Sequence, residues 1–153
     1  MDAREARRWA LALLETADAT YLTTMDRDGF PQTRAMLNLR NKRQWPTLRE
    51  VFQGHEEDFL LYFSTNTSSA KVAQIEANPK VSAYFCKPAA FHGLMLAGTI
   101  ELVTDQTLKK RIWQDGWEVY YPRGVNDPDY TLLRLLPTVA KGWTGQGPFA
   151  FDL

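Results

Sequence analysis

Apolar and polar positions alternate with a period of two over most of this chain and take a helical period in only a few places. Residues 2 to about 17 carry Ala6, Trp9, Ala10, Leu13 and Leu14 at helical spacing, with Arg4, Arg7, Arg8 and Glu15 opposite, which predicts an amphipathic helix. Residues 19–26 read as a strand, and Asp26-Arg27-Asp28-Gly29 as the turn after it. A second strand follows Pro31: Thr33, Ala35, Leu37 and Leu39 are expected to face the core, and Gln32, Arg34, Met36 and Asn38 to face away from it. Arg40 to Trp45 form a basic loop, and Pro46 opens a short helix, Thr47 to Phe52.

The next strand, 58–65, is apolar and aromatic and runs into six hydroxyl or amide residues, Ser64 to Ser69. A helix from about Ser68 to Ala77 is stopped by Asn78-Pro79. Strands are predicted at 80–86 and 93–104, where Gly98 marks a bulge, a barrel corner or a close approach. Asp105 caps a helix expected to run to Tyr120, with Trp113 and Trp117 on one face. Strands 131–136, ended by Pro137, and 139–144 complete the set, and residues 145–153 form a tail expected to pack across a partner. Six or seven strands with short connections and three helices favour a mainly β, α+β domain, a small barrel or curled sheet. No Gly-x-Gly-x-x-Gly follows a strand, which argues against a dinucleotide fold.

Composition narrows the function. Lys and Arg number 18, as do Asp and Glu, so the chain is neutral, which argues against nucleic-acid binding by phosphate neutralisation and sets no barrier to self-association. The one cysteine, Cys86, forms no intrachain disulfide and no paired-cysteine metal site. No apolar run reaches the roughly 18 residues of a membrane span, and the opening residues are charged at once. The expectation is a soluble cytoplasmic protein with no nucleic-acid or membrane partner. His55 and His92 stand in no catalytic constellation.

The candidate chemistry lies at Ser64 to Lys71. A strand ending in hydroxyls before a helix start has two readings. Ser69 can be an N-cap with Lys71 solvated. Alternatively the hydroxyls, the free N–H groups of the first helical turn and Lys71 can hold a phosphate. Arg34 would add a second cation if its face lines a pocket.

Thr33-Arg34-Ala35-Met36, Phe63-Ser64-Thr65-Asn66, Ser69-Ala70-Lys71 and Asn78-Pro79-x-Val81, in this order and spacing, resemble the pyridoxamine 5′-phosphate oxidase-like, FMN-binding split-barrel proteins. Gly98, the Trp113/Trp117 segment, Asp127-Pro128-Asp129-Tyr130 and Leu132-Leu133-Arg134 resemble its general stress protein branch. The resemblance implies a six-stranded antiparallel split β-barrel of Greek-key topology with flanking helices, one domain over residues 3–145 and a tail at 146–153. It implies a homodimer with FMN at the interface and a small-molecule substrate or electron acceptor. Arg34, Ser69 and Lys71 match phosphate-side positions, Ala35 and Met36 match backbone beside the flavin ring, and Ser64 and Thr65 match the cofactor-contacting strand end. Trp113 and Trp117 are the candidates for aromatic completion of the partner's site. Ala70, Leu39 and the terminal Gly-Pro-Phe-Ala-Phe-Asp-Leu depart from the oxidases proper and argue against pyridoxamine phosphate oxidation. The expected function is a flavin-dependent oxidoreductase taking electrons from a reduced nicotinamide. A non-enzymatic FMN-binding stress protein, and a split barrel holding deazaflavin or haem, remain as alternatives.

Overall fold

A computed structural model describes residues 1–153. Its elements, in chain order, are α1 (Ala3–Leu14), β1 (Ala19–Met25), β2 (Pro31–Leu37), β3 (Leu61–Asn66), α2 (Ala70–Ala77), β4 (Lys80–Lys87), β5 (His92–Leu102), α3 (Gln106–Ile112), β6 (Tyr130–Trp143) and β7 (Pro148–Asp152). The strands form one antiparallel sheet in the order β2-β1-β4-β5-β6-β3, with β7 also paired to β6. The sheet curls so that its end strands, β2 and β3, come into contact without a hydrogen-bonded ladder between them. The barrel is therefore split along the β2/β3 seam.

Alternation along the strands builds two cores. Inside the barrel, Leu22, Phe63, Phe85, Leu94, Leu96 and Leu133 pack under α1, which contributes Ala10, Leu13 and Leu14. A capping box starts α1: Glu5 N–H donates to Asp2 Oδ1 at 2.8 Å and Asp2 N–H to Glu5 Oε2 at 2.9 Å. On the outer face of β3 and β6, Leu60, Tyr62 and Leu132 meet Leu48, Phe52, Ile112 and Trp117.

Four elements differ from the sequence reading. β6 runs unbroken through Pro137 as one 14-residue strand. Pro137 lies opposite Gly98, where the β5/β6 register shifts, and between the stretches of β6 that pair with β3 and β7, so its missing N–H is tolerated there. At Gly98 a Cβ would lie 2.7 Å from the Leu136 carbonyl oxygen and 2.9 Å from Pro137 Cα, the close approach that Gly98 signalled. The helix after Asp105 stops at Ile112, because Trp113 turns extended (ψ 136°) and Gly116 takes φ +93° before a single 3-10 turn at Trp117–Val119.

β2 has its faces reversed at its first half. Thr33 and Ala35 are exposed, while Arg34 and Met36 turn inward beside buried Leu22 and Thr20. The tail closes on its own chain as β7, where Phe149 and Phe151 pack against the inner core and Trp9 meets the Phe149 ring edge-on at 5.2 Å.

Candidate functional site

The β2/β3 seam opens as a cleft of about 390 Å³. One wall is Ala35, Met36 and Leu37 of β2 with Asp18 and Ala19 at the start of β1. The other is Ser64, Thr65 and Asn66 of β3 with Lys71, Tyr120 and Tyr121.

At one end, Lys71 Nζ donates to Thr65 Oγ1 at 2.8 Å and to Ser69 Oγ at 3.1 Å. Ser69 occupies the N-cap position of α2, yet its side chain caps no N–H. Its hydroxyl serves Lys71 instead; Val72 N–H donates to the Ser69 carbonyl at 3.1 Å, which leaves the N–H groups of Ala70 and Lys71 in the first turn of α2 without an intrahelical acceptor. Arg34 lies inside the barrel mouth. Its Nη1 donates to Thr24 Oγ1 at 2.7 Å, to the Gln32 carbonyl at 3.0 Å and to the Leu22 carbonyl at 3.3 Å, and Nη2 reaches Gln74 Oε1 at 3.4 Å. Every partner of both cations is neutral, and neither joins an ion pair. Burial pushes the Lys71 ammonium below the usual lysine range, and the Arg34 charge pushes it further. Burial likewise lowers the Arg34 guanidinium. Two half-buried cations that repel each other and lack a carboxylate are costly to hold and suited to a bound anion.

The loop carrying this cradle is clamped from outside. Asp129 accepts from Asn66 Nδ2 at 2.7 Å, from Ser68 N–H at 2.8 Å and from Ser68 Oγ at 3.2 Å. Thr67 N–H donates to the Asp129 carbonyl at 2.8 Å. These bonds hold the Asp129 carboxyl below its usual range. Buried Asp127 fixes the same turn by accepting from Arg123 N–H and Asp129 N–H, each at 2.9 Å.

The cleft thus brings together five of the residues expected of a site: Ala35, Met36, Ser64, Thr65 and Lys71. Arg34 and Ser69 flank it through Thr24, Gln74 and Lys71. Trp113 and Trp117 do not line the cleft. Trp117 is 2% exposed in the outer core, and Trp113 packs edge-on against it at 5.9 Å and against Tyr130 at 5.2 Å. Buried Trp117 has no free ring face, and the partly exposed Trp113 packs against it and against Tyr121 behind the cleft. Tyr120 and Tyr121 are the aromatic residues that reach the cleft. Tyr120 is 50% exposed at its rim, held by Asn66 Nδ2 donating to its carbonyl at 3.2 Å. Tyr121 is buried beside Ser64, and burial raises its phenol above the usual tyrosine range. The two histidines lie elsewhere. His55 pairs with Asp58 at 2.8 Å, and His92 meets Trp9 edge-on at 5.3 Å.

A family model described as "Pyridoxamine 5′-phosphate oxidase like" matches residues 10–152. The structure is similar to a crystal structure of a protein related to general stress protein 26 of B. subtilis (pyridoxinephosphate oxidase family) from Clostridium acetobutylicum. The two share 30% identity with a TM-score of 0.79, over 100% of this chain and 97% of that one. General stress protein 26 from Bacillus anthracis matches at 20% identity and a TM-score of 0.73, over 97% of this chain and 99% of that one. A heme binding protein from Mycobacterium smegmatis matches at 13% identity and a TM-score of 0.69, over 96% of this chain and 57% of that one.

Proposed function

The chain belongs to the pyridoxamine 5′-phosphate oxidase-like family, and from that premise we propose that it is an FMN-binding flavoprotein acting as an oxidoreductase. The observation that carries the reading is the pair of half-buried cations, Lys71 and Arg34, surrounded only by neutral acceptors. A phosphate dianion supplies the charge they lack, and charge-assisted bonds of this kind are worth about 1.5–3 kcal/mol each. Lys71, Arg34, the Ser69 and Thr65 hydroxyls and the first turn of α2 would hold the phosphate. Ala35, Met36 and Leu37 offer a strand edge to a planar ring, and Tyr120 offers an aromatic side chain at the rim.

A bound flavin would supply hydride acceptance from a reduced nicotinamide and delivery of the electrons to a small-molecule acceptor. The protein's part is to orient, to exclude water and to hold charge. That division suits a cleft without a histidine, and it leaves the haem reading without an axial imidazole at the cleft.

The partner in this reading is a second copy. Across β2, β1, β4 and β5 the register aligns Ala35, Tyr21, Tyr84 and Met95 on the outer face of the sheet. Thr33, Thr23, Ser82 and Ala97 form the next row. Neither row holds a charge, Tyr21 is 38% exposed and Tyr84 44%, and Ala35 is shared with the cleft wall. Such a face pairs with itself about a twofold axis and places the cleft beside the interface.

The absorbance spectrum of the purified protein, alone and titrated with FMN, tests the assignment. A flavin spectrum or micromolar FMN binding is expected. A Soret band, or no response to FMN, would overturn it. Stopped-flow reduction by NADH or NADPH separates an oxidoreductase from a storage protein, and sedimentation equilibrium tests the dimer.

A further inference from the structure

The basic loop after β2 takes no part in the cleft, yet it is firmly held. Asn41 is 4% exposed: its Nδ2 donates to the Ala17 carbonyl at 3.0 Å, and its Oδ1 accepts from Arg43 N–H at 3.1 Å and Gln44 N–H at 3.0 Å. Lys42 Nζ lies 2.9 Å from Glu15, and Arg49 clamps the Lys42 carbonyl with Nε at 3.1 Å and Nη2 at 2.9 Å. The loop and the α1–β1 turn enclose a cavity of about 580 Å³ with no hydrophobic residue in its lining. Lys42, Arg43 and Arg49 face Glu15 and Asp18 there. Glu15 neutralises Lys42. Arg49 is bonded only to a neutral carbonyl, and the Arg43 side chain is exposed and bonded to nothing. Two guanidinium groups thus stand against the single carboxylate of Asp18.

Asp18 is also part of the cleft wall, so the two spaces meet at it. The meeting point is far from the phosphate cradle. Ala19, next to Asp18, pairs with Leu37, three residues along β2 from Arg34 and roughly 10 Å away at strand rise. A ring anchored by its phosphate at Lys71 would extend toward this end.

We infer that the cavity of Arg43 and Arg49 is the subsite for the phosphate groups of the second reactant, a nucleotide reductant whose head enters the cleft past Asp18. The inference rests on the flavin reading of the cleft. Its chemistry follows from the lining. Guanidinium forks match phosphate oxygens, and the lining holds no hydrophobic side chain to seat an apolar tail.

Inorganic pyrophosphate is the probe, titrated by calorimetry into the FMN-loaded protein, with FMN titrations of the same variants in parallel. Arg43→Glu touches no contact of the fold, and Arg43→Gln checks the neutral case. The expected result is pyrophosphate binding that survives FMN saturation, weakens about tenfold or more in Arg43→Glu, weakens less in Arg43→Gln, and leaves FMN affinity unchanged. In steady state Arg43→Glu raises KM for NADPH with kcat within about twofold, since a remote phosphate contact is uniform binding. If the effect falls on NADPH alone, the subsite reads the 2′-phosphate; if NADH suffers equally, it reads the pyrophosphate bridge. Pyrophosphate that FMN displaces, or an affinity indifferent to Arg43→Glu, overturns the inference while leaving the flavin reading intact. Absence of FMN binding in the wild type removes the premise, and the inference falls with it.

Discussion

Replacing Lys71 by Met should separate cofactor affinity from the stability of the empty protein. Methionine keeps the unbranched stem and removes the charge. In the cofactor-free chain two terms oppose each other. The ammonium's bonds to Thr65 and Ser69 are lost, and so is the burden of a cation desolvated beside Arg34. Each is on the order of 1–2 kcal/mol, so the net change should stay within about 1 kcal/mol. FMN binding has no such compensation. Losing one charge-assisted contact of about 2 kcal/mol weakens affinity about 30-fold. With FMN at about 100 times the wild-type Kd, binding stabilises the wild type by about 2.7 kcal/mol, and at about 2–4 °C per kcal/mol its Tm rises roughly 5–11 °C. The same FMN concentration is only about three times the variant's Kd, which leaves about 0.9 kcal/mol and a rise of roughly 2–4 °C. Thermal melts with and without FMN measure both. A variant that keeps the full FMN shift, or whose cofactor-free Tm falls as far as its FMN shift shrinks, would refute the reasoning.

Further outcomes follow from the same geometry. Because the folded Lys71 pKa lies below its unfolded value, the unfolded chain holds more protons between the two. Stability of the cofactor-free protein therefore rises with pH through that window, while FMN affinity falls as Lys71 loses its proton; Lys71→Arg should flatten the fall in a fluorescence titration. Asp129→Asn loses acceptor capacity toward Asn66 and Ser68, so FMN should bind several-fold more weakly with Lys71 intact, and an unchanged Kd would count against the clamp. The Asp129 carboxyl is depressed, so in the wild type its stabilising effect is present above the ordinary carboxylate pKa and lost as pH falls through the folded value. Gly98→Ala drives a Cβ against the β6 backbone and should cost about 1–3 kcal/mol, measured as a fall in Tm without a change in m-value.

Much of the fold was legible because burial is one-sided along most strands. Val81, Ala83 and Phe85 alternate with more exposed Ser82, Tyr84 and Cys86, and β4 follows. Where reading failed, a tertiary partner decided the outcome. Pro137 looks like a strand end until the bulge at Gly98 and the change of partner from β3 to β7 are known. Trp113 and Trp117 are four apart and mimic a helical face, yet Trp113 turns extended and Gly116 takes positive φ, so no helix joins them and the indoles meet edge-on at the outer core. β2 misled because its inward face carries Arg34, a residue type that ordinarily signals solvent.

The candidate site was legible where its residues are close in sequence, as from Ser64 to Lys71. Asp18, Tyr120 and Tyr121 reach the cleft only through folding, and no local spacing marks them. Ser69 held both of its readings in sequence. Only the position of its hydroxyl, on Lys71 rather than on a helical N–H, distinguishes them.

The central claim is that the cleft grips its ligand by a phosphate. Parallel fluorescence titrations with FMN and with riboflavin, which has the same ring and no phosphate, test it most directly. The account predicts FMN binding tighter by about 100-fold or more, as two charge-assisted contacts require; equal affinities for the two flavins would contradict it.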